Sequence, residues 1–336
     1  MNRAANTALL LAALLANGVQ AEIYEMPPAG YDVIGAMSTI TARQEDTLVD
    51  IARRHGLGYE DIVRANPDVN VWVPGEGTEV ILPTQYVLPS GSRRGVILNL
   101  AEYRLYYFPE TKAGETAYVM TYPISIGRMD WETPLGRTQI ISKVRNPSWY
   151  VPQSVLDEHA ADGDPLPRIV PPGPDNPLGK FAMRLGLPGY LIHGTNRPAG
   201  VGMRVTHGCV RMFPEDIEYL FTKVDVKTAV RIVNEPIKMG WNGDQLVMEA
   251  HPILEIVVPE VVENEATEEG ENAVDENVVE VKDPLTYMTE QFIVTTGERA
   301  GQLDWHLAEQ IIERSDGIPT PVGEGIKNAA ASAAFE

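Results

Sequence analysis

The stretch YLIHGTNRPAGVGMRVTHGCVRM, residues 190–212, holds Cys209, the single cysteine among 336 residues. A lone thiol makes no internal disulfide, so its presence rests either on burial as a small hydrophobe or on reactivity. Two of the six histidines stand beside it, His193 and His207. The thiolate is the nucleophile, and an isolated thiol ionises only near pH ~8.5, so a working cysteine needs a base within reach. An imidazole can take the thiol proton and later hand it to a leaving amine. On spacing alone, either histidine can serve. His207 is two residues away, across Gly208, which permits a tight turn that aims backbone N–H groups inward. His193 ends an apolar run, and Gly194 after it offers a carbonyl to orient the ring. His, His and Cys supply at most three metal ligands, without CxxC or HxxxH spacing, so neither metal nor cofactor is expected.

Around this stretch, residues 95–234 read mainly as short strands. GVILNLAEYRLYYFP predicts a hairpin, with a strand to Asn99, a turn near Ala101-Glu102, and alternation through Tyr103, Leu105 and Tyr107. AYVMTYPISIG places Tyr118, Met120, Tyr122, Ile124 and Ile126 on one face. Further strands fit Thr138–Val144, Phe181–Leu185, Tyr190–His193 and Ala229–Val233. Pro214-Glu215-Asp216 opens a helix, and Ile217, Leu220, Phe221 and Val224 give it one apolar stripe. Many short strands punctuated by glycine and proline imply a mainly β fold, a sandwich or distorted barrel.

The flanks differ in composition. MNRAANTALLLAALLANGVQA has one charge, Arg3, an apolar run from Leu9 to Leu15 and a small residue at Ala21, the pattern of a cleaved export signal over 1–21. The run is too short to span a bilayer, and no transmembrane segment is expected. The formal charge of −20 disfavours nucleic acid and anionic membrane surfaces. In 38–84, a short strand at Ser38–Ala42 precedes a helix start at Asp46-Thr47, with Leu48, Ile51 and Ala52 at helical spacing. Gly56-Leu57-Gly58 breaks the chain, a second helix carries Ile62 and Ala65, and Glu79–Leu82 closes a βααβ unit. Residues 258–283 carry ten acidic residues against Lys282 alone and no aromatic, the composition of a disordered linker. Beyond it, 284–318 reads as a small accessory module of unassigned role. A short strand is expected at Phe292–Val294, then an amphipathic helix burying Leu307, Ala308, Ile311 and Ile312.

Two resemblances attach to these segments. Through DTLVDIARRHGL and RANP, 38–84 resembles a LysM module. That implies binding of N-acetylglucosamine-containing glycans through loops around Gln44–Thr47 and Asn66–Val69. HGT followed by THGCVRM resembles the L,D-transpeptidase (YkuD-type) signature, and LNLAEYRLYYFP, YPISIGRMDWETPLG, NPSWYVP and NPLGKFAMRLG match as well. The combination is most similar to periplasmic enzymes that attach an outer-membrane lipoprotein to peptidoglycan.

The resemblance implies that Cys209 is the nucleophile and His193 the base, held by the Gly194 carbonyl. Backbone N–H groups of His207, Gly208 and Cys209 would form the oxyanion hole. Arg211 would organise the pocket or meet a stem-peptide carboxylate, and Thr206 would support the turn. Trp149 and Tyr150 would wall the cleft, with a core role expected for one of them. The implied reaction is acyl transfer from a peptidoglycan tetrapeptide, with loss of D-alanine, to the lysine of a lipoprotein. Rival acceptors are a second diaminopimelate, giving a 3–3 crosslink, or water, giving a carboxypeptidase. Two further rivals are an endopeptidase cutting the same bonds and a non-enzymatic wall-binding adaptor. The two modules read as separable: deleting 38–84 is expected to weaken binding to peptidoglycan and to spare acylation at the cysteine.

Overall fold

A computed structural model of the chain describes residues 22–128, 133–254, 257–258, 278–279 and 282–326. The expected signal 1–21 lies outside the described residues, as does most of the expected linker; at the linker's ends, Val257–Val258 pairs antiparallel with Val278–Val279.

The mainly β expectation takes the form of one nine-stranded sheet. From edge to edge it runs Glu22–Glu25, Tyr118–Pro123, Arg104–Phe108, Gly95–Asn99, Ala229–Val233, Gly136–Arg145, Phe181–Leu185, Leu191–His193 and Val210–Arg211. Neighbours are antiparallel except at two places, Ala229–Val233 beside Gly95–Asn99 and Leu191–His193 beside Val210–Arg211. The alternating side chains Leu98, Leu105, Tyr107, Met120 and Tyr122 meet the helix Pro214–Lys223 through Ile217, Leu220 and Phe221. The other face is also covered: Ile97, Tyr106, Phe108 and Val119 pack on Ile34, Tyr86 and Leu88. Arg104–Phe108 is therefore buried at every position rather than at alternate ones. Gly136–Arg145 pairs with Ala229–Val233 over its first part and with Phe181–Leu185 over its second, with a register shift between Ile140 and Ser142. Such an irregularity bends a sheet, and here it lies where the strand passes from one partner to the other.

The βααβ unit is as read. Ser38–Thr41 pairs antiparallel with Glu79–Leu82, and the helices Leu48–Arg54 and Tyr59–Ala65 bury Leu48, Ile51, Ala52 and Ile62 against Val80 and Leu82. Thr47 caps the first helix by accepting a hydrogen bond from the Asp50 N–H at 3.0 Å.

The C-terminal part departs from expectation. Phe292–Val294 is not a strand but lies inside the helix Pro284–Thr296. Asp283 caps that helix by accepting from the Leu285 and Thr286 N–H groups, and proline stands in its first turn. The β-branched run is overridden because Met288 is wholly buried there and the Trp241 indole donates to the Thr295 carbonyl at 3.1 Å. The amphipathic helix is Trp305–Arg314, burying Ala308 and Ile311 with Leu307 and Ile312 half-buried beside them. Both helices pack with a four-stranded sheet whose order is Ile237–Asn242, Gln245–Ala250, Thr320–Gly325 and Gly301–Leu303. This sheet draws on residues outside 284–318 on either side.

An ionic cluster joins this sheet to the central one. Lys238 Nζ lies 2.9 Å from Glu102 Oε1 and 2.8 Å from Glu249 Oε1, and Glu249 Oε1 lies 2.7 Å from His251 Nε2.

Candidate active site

The parallel pair Leu191–His193 and Val210–Arg211 sets the site. Its register places Ile192 opposite Val210 and His193 opposite Arg211. Side chains of paired residues share a face and alternate along a strand. Ile192 and Val210 therefore enter the core, while His193 and Arg211 take the opposite face. That face lines a cleft of about 1000 Å³, which His193, Thr206, His207, Cys209, Arg211, Trp149 and Tyr150 all share.

The His193 ring is fixed by its neighbour. Nδ1 lies 2.6 Å from the Gly194 carbonyl oxygen. A carbonyl only accepts, so the proton sits on Nδ1 and the lone pair on Nε2. Burial, reinforced by the Arg211 charge and opposed by the Gly194 carbonyl, pushes His193 down to about 4. The imidazole is neutral at pH 7. Gly194 has little space for a side chain: a Cβ would come within 3.1 Å of Ile217 Cγ2.

Cys209 follows a turn built from its own sequence. Thr206 Oγ1 donates to the Cys209 carbonyl at 2.6 Å, and Gly208 adopts φ +92°, a conformation few other residues tolerate. Thr133 Oγ1 donates to the Gly208 carbonyl at 2.8 Å, holding the turn from outside. Cys209 Sγ lies 3.6 Å from the Gly189 carbonyl. Burial raises the thiol above its ordinary value, and the Leu191 backbone partly offsets this.

His207, the other candidate base, is engaged elsewhere. Its Nε2 lies 2.7 Å from Glu158 Oε2, and Glu158 Oε1 accepts from Arg128 Nη2 at 2.6 Å. Glu158 sits on the helix Gln153–Ala161, which the sequence did not reveal because no side-chain cap marks its start. Ser125 exchanges two backbone hydrogen bonds with Arg211, at 2.8 and 3.0 Å. The Nε of Arg211 is buried without a hydrogen-bond partner among the described residues. Burial and the charge of Arg197, which lines the same cleft, lower Arg211 from its ordinary value. Two guanidinium groups facing one cleft suit a negatively charged ligand. Neither Trp149 nor Tyr150 is a core residue: Trp149 is half-buried, Tyr150 is exposed, and their short strand pairs with Ile169–Val170.

One group of buried potential metal ligands occurs among the described residues, Glu102, Glu249 and His251. The Lys238 ammonium already supplies the cation between the two carboxylates.

Residues 93–232 match the family model of the L,D-transpeptidase catalytic domain (YkuD), and 40–74 match the LysM domain. "Probable L,D-transpeptidase ErfK/SrfK" of Salmonella typhimurium strain LT2 is 35% identical over 306 residues, covering 90% of this chain and 91% of the relative. "Probable L,D-transpeptidase YcfS" of Escherichia coli K12 is 38% identical, covering 73% of this chain and 77% of that one. "Probable L,D-transpeptidase YbiS" of the same strain is 35% identical over 88% of this chain and 90% of its own length.

Proposed function

The chain belongs to the L,D-transpeptidase family, and from that premise we propose that Cys209 is its nucleophile and His193 its general base. The observation that supports this reading is that Cys209 and His193 line one cleft, beside the strand pair that bears His193. With Nδ1 committed to Gly194, Nε2 is the nitrogen left to take the thiol proton. Sγ attacks the carbonyl at the L-centre of meso-diaminopimelate in a tetrapeptide stem. The oxyanion forms against the N–H groups of the His207–Cys209 turn. Collapse passes the proton from His193 to the departing amine, releasing D-alanine and leaving a thioester. An incoming amine then attacks, His193 takes its proton, and the thiol is restored as the new amide forms. Arg211, with Arg197 beside it, receives a carboxylate of the stem, while Trp149 and Tyr150 flank the peptide.

The acceptor we favour is the ε-amino group of a lipoprotein lysine, and the glycan partner of the LysM unit is peptidoglycan. The resemblance to lipoprotein-attaching enzymes supports the first, and the LysM match the second. The export pattern of 1–21 supports a periplasmic location.

Incubation with a carbapenem should add one drug mass at Cys209. Cys209→Ala and His193→Ala should each stop D-alanine release from tetrapeptide muropeptides; release that persists in Cys209→Ala would remove the nucleophile assignment. Muropeptide mass spectrometry with and without the gene reads the acceptor: loss of lipoprotein remnants supports attachment, whereas loss of 3–3 dimers alone would replace it with crosslinking.

A further inference from the structure

We propose that the LysM unit is a positioning element of the catalytic cleft, clamping the chain on both sides of Cys209. This rests on the reading of Cys209 as the nucleophile. The sequence presents the unit as a separable glycan binder. Its packing is that of a structural wall.

The helix Tyr59–Ala65 begins at Gly58, which has no side chain to cap the first N–H groups. Carbonyls of the other module do so: the Tyr59 N–H donates to Val201 O at 3.0 Å and the Glu60 N–H to Gly202 O at 3.3 Å. Val201 and Gly202 belong to the loop that joins His193 to Cys209. The opposite side of that loop faces the cleft through Gly200, Val205 and Thr206, and Ser125 Oγ donates to the Gly200 carbonyl at 2.7 Å. The loop is thus held between the LysM helix and the site.

The contact leaves no room for side chains. A Cβ on Gly58 would lie 2.7 Å from Gly202 Cα, and one on Gly202 would lie 2.4 Å from both Gly58 Cα and the Tyr59 nitrogen. The Gly58 N–H donates to Asp61 Oδ2 at 2.8 Å, and the same oxygen accepts from the wholly buried Arg104 at 2.5 Å.

A second grip lies just after the cysteine. Arg53 of the first LysM helix forms a bidentate pair with Glu215, Nε to Oε1 at 2.7 Å and Nη2 to Oε2 at 2.9 Å. Its guanidinium also lies 5.4 Å from the Phe213 ring centre. Phe213 and Glu215 lead into the helix whose Ile217 packs under Gly194. Arg53, Gly58, Tyr59 and Glu60 touch no reacting atom. They act through the loop and through this helix start.

Gly58→Ala tests the clamp directly. Its backbone, φ −85° and ψ 171°, is ordinary extended chain that alanine adopts without strain, so the penalty falls on the contacts with Gly202 and, at 3.2 Å, with Pro123 Cβ, both in the other module. Acylation of Cys209 by a carbapenem, followed by intact mass, should slow at least tenfold. The loss should fall on the maximal rate rather than on the half-saturating drug concentration. Arg53→Glu should slow acylation as well, and adding Glu215→Arg should restore it to within twofold of the parent. Wild-type rates in both Gly58→Ala and Arg53→Glu would overturn the proposal, as would a double variant left as slow as Arg53→Glu. A parent protein that is never acylated at Cys209 would instead overturn the site reading itself.

Discussion

Cys209 and His193 line one cleft as two neutral groups. Burial raises the thiol, while burial and Arg211 lower the imidazole to about 4. On the proposed roles of the two residues, proton transfer would accompany attack on the substrate rather than precede it. The rate of Cys209 alkylation by iodoacetamide should climb only above the ordinary thiol range, with no plateau between about pH 5 and 7. A plateau there would reveal a standing thiolate–imidazolium pair. The same shift has a consequence for stability. The imidazole of the unfolded chain protonates near pH ~6.5, so the neutral buried His193 contributes fully above that value, and the contribution is lost as pH falls toward 4. The chemistry of these residues was legible in their types and spacing. The engagement of His207 was not, since Glu158 and Arg128 come from distant parts of the chain.

Among the elements, those with a clean period were readable. Phe181–Leu185 and Ala229–Val233 fall at the limits that alternation predicts, and the helix opened by Pro214 buries the expected stripe. Ile217 in that stripe is fully buried and is also the side chain packed against Gly194. Ile217→Ala should cost about 3 kcal/mol of stability, read as a lower urea midpoint. It should also slow acylation by loosening the carbonyl that holds His193. The failure at Phe292–Val294 has the opposite origin. Aromatic and β-branched residues favour a strand locally, but the Asp283 cap and the packing of Met288 select a helix. Ile293 and Val294 then face solvent, 63% and 64% exposed, which a strand reading based on burial does not anticipate.

Across the whole molecule, charge enters places where composition predicts none. Lys238 and Glu102 are each 1% exposed and Glu249 is fully buried, at the junction of the central and C-terminal sheets. Although burial pushes Glu102 up, the charges of Lys238, His251 and Arg104 prevail and hold it below the ordinary carboxylate range. Lys238→Met strands two buried carboxylates and should lower stability by about 3–5 kcal/mol in denaturant titration. A loss below about 1 kcal/mol would mean that solvent already reaches the cluster. Arg104 makes a comparable bridge to the LysM unit through Asp61, so deletion of 38–84 would strip a buried cation of its nearest carboxylate, leaving Glu102 at 3.9 Å. That deletion is no longer a clean way to remove glycan binding alone. By itself the sequence determined the mainly β class, the βααβ unit and the presence of a lone thiol with two histidines nearby, because periodicity, caps and reactive side chains are local properties. Only the tertiary structure decided the strand register that pairs His193 with Arg211, the shared cleft of thiol and imidazole, the seating of the LysM helix on the loop before Cys209, and the buried ionic junction. Each of these depends on groups far apart in the chain whose pairing no local pattern records.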